Sequence, residues 1–77
     1  MKPIIVEVLW IDIAGYPGWG TGRKLSDFKP AECRTVGYLL EKGKLVKIAG
    51  TMNLSDIDVG DVLVIPISNV KKIRRLR

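Results

Sequence analysis

The chain contains no histidine and one cysteine, Cys33, among its 77 residues. Without histidine the commonest general base is missing. A lone thiol forms no internal disulfide, and with no histidine beside it most zinc and transition-metal sites are excluded. No cofactor and no metal are therefore expected. Long apolar runs are missing too. Ile4–Ile13 is interrupted by Glu7 and Asp12 and is too short to cross a bilayer as a helix. The residues after Met1 do not form the apolar core of a leader peptide. Repeats and low-complexity linkers are absent, so residues 1–77 are expected to be a single domain, near the small end of what folds alone. The expected location is the cytoplasm.

What is present is positive charge, unevenly placed. The formal net charge is +5. Residues 1–32 hold four basic and four acidic side chains, whereas residues 33–77 hold nine basic and four acidic. Lys71, Lys72, Arg74, Arg75 and Arg77 crowd the end of the chain. A basic end attracts polyanions by neutralising phosphates, and it also keeps a small protein soluble.

The hydrophobic pattern is that of strands. "IIVEVLWIDI" (Ile4–Ile13) is rich in β-branched residues. Period two divides it into Ile4, Val6, Val8, Trp10, Asp12 and Ile5, Glu7, Leu9, Ile11, Ile13, and both sets are mostly apolar. A strand on a small core needs one apolar face, so the other must be covered by another part of this chain or by another subunit, and an oligomer is expected. Gly15, Pro17, Gly18, Gly20 and Gly22 mark a long irregular loop. Within "LSDFKPAE" one helical turn is expected, capped by Ser26 and stopped by Pro30. Cys33–Leu40 and Leu45–Met52 alternate on either side of a hairpin turn at Gly43. Asp61–Ile67 forms a further strand. In the last segment Val70, Ile73 and Leu76 recur every three residues, which suits a helix. Pro66 and the short connection suit a bulged strand, which is the expectation. The class is therefore all-β: a small five-stranded SH3-like or Sm-like barrel with a long first loop and at most a short helical turn.

An ordered set of motifs runs over nearly the whole chain: Trp10-x-Asp12, Trp19, "TVGYLL" (Thr35–Leu40), "VKIA" (Val46–Ala49), Ile65-Pro66 and Val70. In that order they resemble a group of small, largely uncharacterised phage and prophage proteins. The resemblance implies a phage accessory protein and carries no catalytic residue to this chain.

Five features have a ligand-binding look. Gly18-Trp19-Gly20-Thr21-Gly22 lacks the Lys-Ser/Thr and the long helix that a phosphate loop needs. Tyr16 and Trp19, with Arg23 and Lys24 after them, suit a stacked base and its phosphate; alternatively Trp19 folds onto the core, where Trp10 belongs. Asp12 either contacts a ligand or satisfies backbone N–H groups of the loop after it. Asp56, Asp58 and Asp61 lack the spacing and closing glutamate of a calcium loop. Cys33 has no base to activate it, even with Arg34 adjacent.

The expectation is a non-enzymatic module, with no paired nucleophile and base to name. It is expected to be a homo-oligomer that binds nucleic acid or a nucleotide through Tyr16, Trp19, Arg23, Lys24, Lys71, Lys72, Arg74 and Arg75, with Asp12 as a further polar contact and no membrane partner. The alternative is a phage counter-defence or host-takeover protein. It would bind a host protein, or hold a small signalling molecule between subunits.

Overall fold

A computed structural model describes residues 3–13, 18–26 and 28–77, with the side chains of Arg23 and Lys24 outside that description. Five strands form one antiparallel sheet: β1 (Ile5–Ile11), β2 (Glu32–Lys42), β3 (Leu45–Met52), β4 (Val59–Pro66) and β5 (Val70–Arg75). Their order across the sheet is β4-β3-β2-β1-β5. The all-β expectation and its five strands hold. The final segment is a strand, because its partner β1 supplies a ladder that an isolated helix would lack.

Register decides which face of each strand is inside. Val6 lies opposite Gly37 and Val8 opposite Thr35. On the other side of β1, Val8 lies opposite Ile73. Val46 faces Ile65 and Ile48 faces Leu63 across β3 and β4. Val6, Val8, Val46, Ile48 and Ile65 are buried in one cluster, with Ile4, Trp10, Leu39, Leu63, Val70 and Ile73 packed against it. Val36 and Tyr38, opposite Glu7 and Ile5, face the other side of β2. The core face there holds Gly37 and Leu39 instead. A side chain at Gly37 would bring its Cβ to 2.5 Å from the Ala49 carbonyl oxygen and 2.6 Å from Ile48 Cγ2. Glycine at this point lets β2 press onto β3 where Ile48 fills the core.

Two bulges bend the sheet. Pairing of β2 with β3 shifts between Leu39 and Glu41, and pairing of β1 with β5 shifts between Leu9 and Trp10, leaving Lys71 extra on β5. Bulges sharpen local twist and bend. A further constraint comes from a single turn of 3₁₀ helix, Ile67–Asn69, which joins β4 directly to β5 although these are the two edge strands. In a flat five-stranded sheet the edges would stand about 19 Å apart. A turn of three residues does not span that distance, so the sheet curls. The Asn69 side-chain amide donates to the Ile11 carbonyl at 2.8 Å and ties the turn to the end of β1. The curl stops short of closure: among the described residues β4 pairs only with β3, and β5 only with β1. A closed barrel is thus not what the ladders form.

An α-helical turn covers Gly22–Leu25, before the expected place: the Leu25 and Ser26 N–H groups donate to the Thr21 and Gly22 carbonyls at 3.0 Å, so Ser26 follows this turn rather than capping its start. Gly22 opens this turn and so is not part of the irregular loop. No helix of the described residues is long and apolar enough to cross a membrane.

Candidate anion-binding groove

The outer face of β1 carries Ile5, Glu7, Leu9 and Ile11. Antiparallel pairing sets Val36 and Arg74 on either side of Glu7, and Arg34 and Lys72 on either side of Leu9. Directly opposed residues share a face and touch, so two rows form, Val36–Glu7–Arg74 and Arg34–Leu9–Lys72. Glu7 is the hub. Its Oε2 lies 3.7 Å from Arg34 Nε, and its Oε1 lies 3.4 Å from Arg74 Nη2. The Glu7 side chain is 14% exposed, against 65% for Arg34 and 59% for Arg74. The carboxylate therefore sits at the bottom with a guanidinium on each side.

Glu7, Leu9, Arg34, Lys72 and Arg74 line a groove of about 230 Å³. Lys72 makes no ion pair among the described residues. Three cations against one carboxylate leave the groove with a surplus of two positive charges. The depression continues along β2 past Glu32 and Cys33 to Lys71. There the Lys71 ammonium donates to Glu32 Oε1 at 2.9 Å. This hydrogen bond, and then the Lys71 charge itself, hold the Glu32 carboxyl below its ordinary pKa. The pair is open to solvent and adds little to stability.

The expected site residues separate into groups. Lys72 and Arg74 face the groove. Lys71 is the bulged residue and is engaged by Glu32. Arg75 lies opposite Val6, on the other side of β5, and leaves the groove set for that reason: strand alternation turns it away from Arg74. Trp19 is fully exposed, next to Gly18 at φ +98°, so it does not fold back into the core. Trp10 packs against the core, and its indole N–H donates to Thr35 Oγ1 at 2.9 Å. Tyr16 lies outside the described residues, as do the side chains of Arg23 and Lys24.

Asp12 serves the chain itself. Its Oδ1 accepts the Ile13 N–H at 2.8 Å, while its own N–H donates to the Ala31 carbonyl at 2.9 Å. Asp56 likewise accepts the Asp58 N–H at 3.1 Å within its loop. Among the described residues no group of three His, Cys, Asp or Glu side chains is placed to hold a metal ion. Cys33 is half-buried, with its thiol 3.9 Å from the Ala31 carbonyl.

Sequence reasoning missed Glu7 and Arg34. The signal was present as a lone acid on an apolar strand face and an arginine two residues before Val36. It became meaningful only once the β1–β2 register set them side by side. Comparison with protein-family models, with curated proteins and with solved structures returns no match.

Proposed function

We propose that this protein is a non-enzymatic, phage-type accessory module that binds nucleic acid or a nucleotide on the outer face of β1, β2 and β5. The observation that carries the reading is the groove in which Arg34, Lys72 and Arg74 surround one carboxylate. Its cations stand on strands, so phosphate contacts would be made from a rigid platform rather than a solvated tail. The fully exposed Trp19 offers a stacking surface for an unpaired base. The strand order, with a 3₁₀ turn leading into β5, supports reading the sheet as an SH3-like or Sm-like plan that is open between β4 and β5. Fold alone does not bring function with it, and the phage assignment rests on the order of motifs in the chain.

Binding to DNA and RNA titrated over salt tests this reading. The logarithm of the association constant should fall linearly with the logarithm of salt, with a slope of about −0.9 per phosphate neutralised on duplex DNA. Absence of binding at low salt would remove the reading.

A second reading has its own observation. Val36, Val62 and Val64, on the outer face, are 52%, 46% and 47% exposed, and both sheet edges are unpaired among the described residues. Apolar surface and free edges suit self-association, or a host protein or small signalling molecule held between subunits. Native mass spectrometry reports subunit number and any retained small ligand together. A bare monomer at micromolar concentration would count against it.

A further inference from the structure

We propose that Glu7 is a positioning residue for the groove: it holds Arg34 and Arg74 in register for a phosphodiester backbone, so its removal weakens binding although it makes the groove more positive. This inference rests on the nucleic-acid reading and deepens it. Glu7 is the deepest charged group of the groove, and each of its two oxygens faces a different arginine, at 3.7 and 3.4 Å. The arginines come from different strands, β2 and β5, on either side of β1. Both arginine side chains remain more than half exposed, so donors not turned to Glu7 stay available to a ligand. Lys72 stands in the neighbouring row with no counter-ion among the described residues and adds charge without being held by Glu7.

Two opposing effects decide the sign. Removing one negative charge roughly 5 Å from a bound phosphate would tighten binding about four-fold at the dielectric of water and by more at the lower dielectric around a mostly covered carboxylate, and salt screening lowers either figure. Freeing one long side chain, which must then be ordered again by the ligand, weakens binding by about two- to twelve-fold. Two arginines are released together, so their losses compound, and the proposal requires that together they exceed the electrostatic gain. Its expectation is weaker binding for Glu7→Gln than for the wild type. Glu7→Asp keeps the charge but is one methylene shorter and does not reach both arginines, so it should resemble Glu7→Gln and not the wild type.

The experiment uses the full chain, a short mixed-sequence DNA duplex, and Glu7→Gln, Glu7→Asp and Lys72→Ala. It measures affinity, salt slope, melting temperature and the NMR order of the Arg34 and Arg74 Nε–H groups in the free protein. The proposal expects both Glu7 variants to bind more weakly and both arginines to lose order without ligand. Tighter binding by Glu7→Gln would overturn it. So would wild-type affinity in Glu7→Asp, or unchanged arginine order in both variants. Lys72→Ala separates the two levels. If it weakens binding while Glu7→Gln strengthens it, the groove binds nucleic acid and only the role of Glu7 falls. If the wild type does not bind the duplex, or Lys72→Ala leaves affinity and salt slope unchanged, the nucleic-acid reading fails and the role of Glu7 falls with it. Should Glu7→Gln fail to fold, Glu7→Asp carries the same test.

Discussion

The two faces of β1 are nearly alike in composition and opposite in fate. Val6 and Val8 are completely covered. Ile5, Leu9 and Ile11, just as apolar, are only partly covered and share their face with Glu7. The same contrast runs through β3 and β4: Val46, Ile48 and Ile65 are sealed, while Val62 and Val64, on neighbouring positions, stand about half exposed. Hydrophobicity alone does not explain the difference. The curl of the sheet does, because it brings β4 and β5 toward each other over one face and leaves the other convex. The inner face supplies stability, and the outer face supplies surface on which charges are set out in rows.

The comparison can be broken most forcefully from the inside. Ile48→Ala should destabilise by about 2–5 kcal/mol, the range for truncating a buried aliphatic. Val64→Ala, in the same hairpin but on the outer face, should stay within about 0.5 kcal/mol. Urea denaturation of the two variants measures both, and equal losses would show that the outer face is covered in solution by another subunit. Gly37→Ala should cost about 1–3 kcal/mol, since the added methyl meets the β3 backbone and the core has no room for it. A neutral result in the same denaturation experiment would mean that β2 and β3 part far enough to admit the methyl.

Changes on the outer face should act on binding and not on folding. The double change Lys72→Ala with Arg74→Ala should reduce the salt slope on duplex DNA by about two units if each cation meets one phosphate. Parallel slopes for the double mutant and wild type would take β5 out of the site. Trp19→Ala should leave the melting temperature unchanged, because the ring contributes nothing to the core. It should cost about 1–3 kcal/mol of affinity for a single strand if the ring stacks on a base. A clear drop in melting temperature would show that the loop packs in solution.

The smallest effect concerns pH. The Glu32 pKa is lowered in the folded state, first by the hydrogen bond from Lys71 and then by its charge. Its contribution to stability is therefore present above the unfolded value and is lost as pH falls through the folded one. The stability gap between wild type and Glu32→Gln should shrink on acidification through that window and remain flat above it. Both partners are exposed, so the gap itself should be slight. A gap that grows on acidification would show that Glu32 is stabilised in its protonated form.

Much of the fold could be read from short-range pattern. Leu45–Met52 is a strand with the expected bounds, Gly43 lies in the hairpin turn, and a bulged strand follows Pro66. These features depend on neighbours a few residues apart. The candidate site was legible only in part. Lys72 and Arg74 could be placed on one side of a strand by alternation alone, which also separates them from Arg75. Glu7 and Arg34 could not be linked, because 26 positions of chain lie between them, including a loop whose length sets no register.

Alternation of side chains, turn residues and the uneven charge thus determined by themselves that the chain is all-β and that its last strand is basic. These are properties of segments, and a segment carries its own periodicity. Which apolar face is buried, whether the sheet closes and which charges meet were decided only by tertiary structure. Each depends on pairing between distant strands, where a slip of one residue would send Glu7 inward and Val8 out. The bulge at Lys71 and the Asn69 amide on the Ile11 carbonyl hold that register, and through it they place three cations around one carboxylate.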